Sequence, residues 1–201
     1  MGALSETQRF WIMTHVFAVL FLILFLQRTP IGGRTSAVEF KNIKRALRYH
    51  CGGRGKLFSK AALSLPGMGE VTFDHILVDQ SGVLLLMQLE WGSDIQGSAK
   101  AKKWTLRDRG KYMEVDNPLL LMRDLRGRVS ELLNRNGCRN VPVQSLVLCC
   151  APYRKISVEA KSDEVLVSTE LSHWLKARTR QAPACDWEQV AETLATLAKE
   201  K

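Results

Sequence analysis

Two apolar segments joined by a short polar turn constrain the fold of this chain more than any other feature. The first segment runs from Phe73 to Val78 and the second from Gly82 to Leu89. Strand-forming residues on both sides of Asp79-Gln80-Ser81-Gly82 predict a β-hairpin. The first strand carries one acid, Asp74, whereas the second carries no charge. A carboxylate within a mostly apolar hairpin indicates a candidate functional residue.

The composition is that of a globular domain with a basic surface. The 201 residues, 46% of them hydrophobic, are enough for one domain with a small appendage. A net charge of +9 and a pI near 9.5 indicate an anionic partner, either nucleic acid or the inner face of a membrane. The five cysteines are odd in number and contain no C-x-x-C pair, which favours a reducing compartment and disfavours a zinc site.

An apolar run near the amino terminus predicts a membrane anchor. Phe10 to Leu26 is almost unbroken and close to the lower limit of about 17 residues for a membrane-spanning helix. Basic residues crowd its downstream side, so the positive-inside rule places the main domain in the cytoplasm. A cleaved signal peptide is the alternative, disfavoured by the length of the run and its weak basic flank. We predict a single-pass membrane protein with a tail at 1–9, an anchor at 10–27 and a linker at 28–35.

The remainder of the chain alternates between helical and strand patterns. Its order predicts an α/β fold with a mixed central sheet flanked by helices over residues 36–180, and a C-terminal helix within 181–201. The predicted helices are marked by the apolar stripes Phe40, Ile43 and Leu47; Leu121, Leu125, Val129 and Leu132, after Asn117-Pro118; Leu171–Ala177; and Trp187, Val190, Leu194 and Leu197, capped by Asp186. Further strands are predicted at Lys103–Arg107, Lys111–Val115, Val141–Ala151 and Val165–Val167.

From Ser36 to Ala177 the chain resembles the nuclease-related domain family (NERD), a branch of the PD-(D/E)XK nuclease superfamily. The resemblance rests on the order of Glu39, the Phe73–Val78 strand, the strand that begins at Gly82, Ile95–Gly97, Trp104 and Asn117-Pro118. It implies a nuclease fold in which Asp74 and Glu39 would hold Mg²⁺ for phosphodiester hydrolysis.

The resemblance also implies an E-x-K pair on the second strand, which this chain lacks. Aligned without gaps, the acidic position falls on Met87, the lysine position on Leu89 and a family glutamine on Leu121. Mg²⁺ requires several oxygen ligands, and the lysine orients the nucleophile and stabilises developing charge. The sequence therefore predicts a catalytically degenerate domain, a pseudoenzyme without a bound metal or cofactor.

An active enzyme remains open as an alternative. A single bulge in the second strand would exchange its faces and bring Gln88 and Glu90 to the E-x-K positions. Asp74, Glu39, Gln88 and Glu90 would then form a displaced site of a Mg²⁺-dependent DNA nuclease.

Basic residues on successive elements near this site predict a phosphate-binding surface for nucleic acid. They are Lys102, Lys103, Arg107, Arg109, Lys111, Arg123 and Arg126. The favoured hypothesis is a membrane-anchored degenerate domain that binds nucleic acid or assembles a protein complex. A third hypothesis is a structural subunit of a membrane complex, whose basic face contacts lipid or protein and never DNA.

Overall fold

The computed structural model describes residues 31–91, 93–108, 110–150, 155–160 and 164–200, and Ser36–Lys201 is one compact unit. Its α-helices are α1 (Ile31–Cys51), α2 (Pro118–Arg135), α3 (Leu171–Arg178) and α4 (Trp187–Leu197), with a 3₁₀ turn at Ser168–Glu170. Its strands are β1 (Gly55–Leu65), β2 (Gly69–Asp79), β3 (Gly82–Leu89), β4 (Asp94–Ser98), β5 (Lys103–Asp108), β6 (Lys111–Asp116), β7 (Val143–Cys149), β8 (Ile156–Glu159), β9 (Val165–Val167) and β10 (Ala198–Glu200).

The strands form two mixed sheets, so the prediction of a mixed central sheet flanked by helices is confirmed for the first sheet, and the second sheet was not predicted. The first sheet has the order β10-β1-β2-β3-β7-β9, in which β1, β2 and β3 form an antiparallel meander and β7 lies parallel to β3. The second has the order β6-β5-β4-β8. The chain leaves the first sheet at Leu89, before β4 begins at Asp94, and returns to it through α2.

The first sheet is buried on both faces, which explains its nearly continuous apolar strands. On one face, called the α2 face below, Val83, Leu85 and Leu89 join a core with α2, α4 and the inner side of the second sheet. On the other, the α1 face, Leu84 and Leu86 pack with side chains from α1 and α3. Helix α1 therefore covers the face of β3 opposite to α2.

Strands β1 and β2 contain a shared irregularity beside Asp74. Phe73 and Ile76 both belong to the α2-face core although they are three residues apart, whereas regular alternation requires an even spacing. Phe58 and Ala61 on β1 show the same spacing, and Lys60 between them has a φ of 55°. In each strand, the two residues between these core positions therefore lie outside the α2-face core.

Several predictions of local structure are confirmed. Asn117 caps α2 by accepting the Leu119 N–H, with proline in the first turn, and Asp186 caps α4 by accepting two N–H groups. The predicted α2 stripe requires one correction, because Leu121 is 44% exposed and Met122 is buried instead. The first described helix begins at Ile31, so residues 31–35 are helical although they were predicted as linker.

The predicted membrane anchor at residues 10–27 lies outside the described residues. Among the helices that the structure describes, none is long and apolar enough to cross a membrane.

Candidate active site

Both carboxylate oxygens of Asp74 are bound to groups of the chain itself. Oδ1 accepts a hydrogen bond from the Lys60 ammonium at 2.5 Å, and Oδ2 accepts the Gln88 backbone N–H at 2.8 Å. The paired register of β2 and β3 ends at His75 and Leu86, so Asp74 lies just where these strands separate. Asp74, which lies on β2, therefore connects β1 with β3 at the point where β2 and β3 separate.

Strand β3 presents its polar and apolar residues to opposite faces. Leu89 is buried in the α2-face core and Met87 packs against it. Gln88 alternates with them and follows Leu84 and Leu86, which are buried on the α1 face. β3 pairs with β7 residue by residue from Val83 to Leu89, so it contains no bulge. The alternation of side chains between the two faces is interrupted in β1 and in β2 instead.

Three acidic groups act electrostatically on the thiol of Cys150, which follows β7. Burial raises the pKa of the Cys150 thiol to about 12, and Cys149 and the carboxylates of Glu39, Glu90 and Asp74 add to this rise. Cys150 belongs to the α1-face core, and its backbone N–H donates to the Leu89 carbonyl. These acids therefore act on one buried thiol, which stays protonated at neutral pH.

The acids do not form a metal site in this arrangement. Within the ranges that the structure describes, no three His, Cys, Asp or Glu side chains lie close enough together to hold one ion. The Lys60 ammonium already neutralises part of the Asp74 charge that would attract Mg²⁺. The residues therefore do not fit the Mg²⁺ site that the family resemblance implies.

His75 lies beside Asp74 in a buried position. It is 0% exposed, its Nδ1 hydrogen bonds with the Ser59 hydroxyl at 3.0 Å, and the Phe40 ring of α1 lies 5.3 Å from the imidazole. Burial lowers the pKa of His75 to about 4, Asp74 opposes this effect, and Lys44 and Lys60 reinforce it. The imidazole is therefore neutral at pH 7.

This depressed pKa predicts a loss of stability in acid. An unfolded histidine titrates near pH 6.5, so between pH 6.5 and pH 4 the unfolded chain binds a proton that the folded chain does not. The free energy of unfolding should fall by roughly 3 kcal/mol over this window because of His75. Denaturant unfolding at several pH values should show that His75→Leu removes this dependence.

The exposed His173 of α3 provides the control for this experiment. His173→Ala should leave the pH dependence of the free energy of unfolding unchanged. Equal pH dependence in the wild-type chain and His75→Leu would contradict a buried neutral imidazole.

The residues of the predicted basic surface lie in different environments. Arg123 binds Glu164 through two nitrogens, at 2.9 and 2.6 Å, and also donates to the Ala99 carbonyl. Lys103 and Arg107 lie on the outer side of β5, and Lys103 pairs with Glu114 at 3.4 Å. The exposed side chains among the others are Lys102, Lys111 and Arg126, whereas Arg109 lies outside the described residues. Arg123 thus has a structural partner within the chain.

Sequence reasoning missed Lys60, the closest charged partner of Asp74. Its strand was not predicted, because the irregular step at Lys60 interrupts the alternation between polar and apolar residues. A lysine within the apolar context Phe58 to Leu63 was the available signal. Its contact with Asp74 joins residues 14 positions apart and depends on how β1 pairs with β2.

The order of elements and the position of Asp74 define the class of protein. A helix, an antiparallel meander of three strands, a second helix and a strand parallel to the third form an α/β domain with an acid where the strands separate. The family model of the nuclease-related domain (NERD) matches residues 36–150, more than half of the chain. The chain belongs to this family and, through it, to the PD-(D/E)XK superfamily. No curated protein and no solved structure matches it.

Proposed function

We propose that this chain is a nuclease-related domain that binds nucleic acid without hydrolysing it. The observation that carries the proposal is the environment of Asp74, whose two oxygens are taken by the Lys60 ammonium and the Gln88 N–H. An ammonium supplies positive charge to the carboxylate. Unlike Mg²⁺, it cannot bind a water molecule as a ligand and lower the pKa of that water. The internal ion pair thus competes with the metal ion on which this hydrolysis relies.

The neighbouring residues support the same proposal. Met87 and Leu89, at the family's acid and lysine positions, supply no oxygen ligand and pack with the α2-face core. The Gln88 side-chain nitrogen is buried without a hydrogen-bond partner, and Glu90 is exposed beyond the end of β3. The chain's net charge of +9 favours phosphate binding.

An active nuclease is the second candidate, and one observation favours it. Burial is the main cause of the raised pKa of the Cys150 thiol, and Glu39, Asp74 and Glu90 each add to it, so the three carboxylates lie within electrostatic range of one side chain. Gln88 faces the α1 side without the bulge that this alternative was expected to require. Catalysis would still require Asp74 to bind the metal ion beside the Lys60 ammonium.

The experiment that tests the proposal measures cleavage and binding with the full chain. We expect no cleavage of single- or double-stranded DNA with Mg²⁺ or Mn²⁺. We expect DNA binding with an association constant whose logarithm falls linearly with the logarithm of the salt concentration. Asp74→Ala should leave both results unchanged. Asp124→Ala serves as a control, because Asp124 is an exposed helix residue paired with Arg128.

The outcomes separate three functions. Cleavage by the wild-type chain and by Asp124→Ala, but not by Asp74→Ala, would establish the second candidate. Absence of any binding at low salt would instead favour a structural subunit that contacts lipid or protein. Binding without cleavage supports the proposal.

The proposal includes a membrane anchor at residues 10–27 with the domain on the cytoplasmic side. Its support is the length of the apolar run and the basic residues that follow it. The full chain used for the binding measurements should remain with vesicles after alkaline washing. Protease should digest the domain in inverted vesicles only, and digestion in right-side-out vesicles alone would contradict this orientation.

A further inference from the structure

The second sheet has one buried side and one polar side. Ile95, Trp104 and Leu106 point inward and are each 3% exposed or less. The residues that alternate with them point outward, and they include Arg107 and Thr105 on β5. No described element covers this outer side, because the helices pack in the cores on the two faces of the first sheet. Within the described part of the chain, these side chains are therefore open to a partner.

A small cavity of about 200 Å³ opens on this outer side. This volume is below the usual range of pockets that enclose a whole small-molecule ligand. It suits the insertion of one group of a larger partner. Its lining includes Asp94, Gln96, Thr105, Arg107, Tyr112 and Lys155. We call this cavity the Tyr112 pocket.

Tyr112 provides an aromatic surface at this pocket. Its side chain lies on an edge strand and the residue is 69% exposed. Arg107, its cross-strand partner, places its guanidinium 5.6 Å from the ring centre. This cation–π contact orients the ring while it leaves most of the surface open. An exposed aromatic ring held on a sheet is suited to stacking with a flat partner.

The charges around the pocket favour an anionic partner. Arg107 and Lys155 are both exposed and line the same cavity. Asp94 is the acidic residue of the lining, and its Oδ1 already accepts the Lys155 backbone N–H at 3.1 Å. Glu114 and Asp116 follow Tyr112 on the outer side of β6, opposite Thr105 and Lys103, and Glu114 pairs with Lys103. Gln96 and Thr105 add hydrogen-bonding groups between the ring and Lys155.

We propose that the Tyr112 pocket binds an unpaired base of single-stranded nucleic acid, with the base stacked on Tyr112 and the adjoining phosphate near Arg107 and Lys155. The inference rests on the proposed function, because it names the nucleic acid that the domain binds and where. Bases in a duplex have both faces covered by their neighbours, so only an unpaired base can stack on this ring. The aromatic ring and two cations match the base and the phosphate respectively.

The test compares four ligands with the full chain in detergent. Fluorescence anisotropy is measured with a labelled 12-nucleotide single strand of DNA, the RNA of the same sequence, the DNA duplex, and the mononucleotide as competitor. We expect Tyr112→Ala to weaken single-strand binding about 10-fold, the effect expected from losing one stacked base. Its affinity for the duplex should change less than 2-fold. Tyr112→Phe should bind like the wild-type chain because it retains the ring.

A matched control comes from a second exposed tyrosine. Tyr49 on α1 is 85% exposed and does not line the Tyr112 pocket, so Tyr49→Ala should leave all affinities unchanged. The circular dichroism of both alanine variants should match the wild-type chain, since neither ring is buried.

The outcomes distinguish the inference from the proposed function. Loss of affinity in either single-strand arm supports the inference, and the DNA and RNA arms show which nucleic acid is preferred. Binding by the wild-type chain that Tyr112→Ala leaves unchanged in both single-strand arms would overturn the inference alone. Equal weakening of duplex binding, or full competition by the mononucleotide at micromolar concentrations, would also overturn it. A wild-type chain that binds no nucleic acid would overturn the proposed function and the inference together.

Discussion

Replacing Arg178 by methionine is expected to lower the free energy of unfolding by about 3–5 kcal/mol. Arg178 is 2% exposed and binds Asp79 through two nitrogens, at 2.9 and 3.0 Å. It also donates to the Gly82 carbonyl and to the Gln144 side chain. Methionine would fill a similar volume but would leave the buried Asp79 carboxylate without its main counter-charge. Denaturant unfolding monitored by tryptophan fluorescence measures the loss.

The size of this effect follows from the number of elements that meet at Asp79. His50 at the end of α1 contacts the same carboxylate at 3.0 Å, and the Ser81 N–H donates to it at 2.8 Å. These bonds and the Arg178 pair hold the pKa of Asp79 below its ordinary value although burial opposes them. The network therefore joins α1, the β2–β3 turn, β7 and α3.

Two controls distinguish the ion pair from a general effect of removing arginine. Arg180→Met changes an exposed residue just beyond α3 and should alter the free energy of unfolding by less than about 0.5 kcal/mol. The double variant Arg178→Met with Asp79→Leu should lose less than the sum of the two single variants, because no buried charge remains unpaired. Additive losses would show that the pairing contributes little.

Replacing Gly82 by alanine is the second change with a large expected effect, roughly 3 kcal/mol or more. Gly82 opens β3 with a φ of 109°, a region that residues with a Cβ rarely adopt. An added Cβ would lie 2.1 Å from the Pro142 carbonyl oxygen. That oxygen accepts the Val83 N–H at 2.8 Å, so it cannot move without loss of a bond between β3 and the start of β7. Thermal and denaturant unfolding should both detect the loss.

Gly69 is the matched control for this substitution. It has a φ of 82° but an added Cβ there would meet no atom within 4 Å. Gly69→Ala should therefore cost only the left-handed backbone penalty, about 1 kcal/mol. Similar losses for the two variants would show that the contact with Pro142 relaxes freely.

The parts of the fold that could be predicted are those encoded by neighbouring residues. Alternation, apolar stripes and capping residues gave the β2–β3 hairpin, helices α2 and α4, and the buried strand β7. Strand β1 was missed because Lys60, with its φ of 55°, interrupts its alternation. The second sheet was missed as a separate sheet because β4 and β8 are short and pair across about 60 residues.

The candidate site was predicted only in part, for a similar reason. Asp74 was identified from its place in an apolar strand, and the structure puts it at the separation of β2 and β3. Its pairing with Lys60 was not foreseen, since an ion pair between strands depends on register and backbone distortion. The direction of Gln88 was expected to require a bulge in β3, whereas the irregular step lies in β1 and β2.

The sequence by itself determined the family and the local elements, because these depend on residue types and short spacings. Only the tertiary structure decided which partners the remaining charges have. Asp74 meets Lys60 from the adjacent strand, and Asp79 meets Arg178 from 99 residues away. Electrostatic interactions depend on distance and burial, and both are fixed only when the sheets and helices have packed.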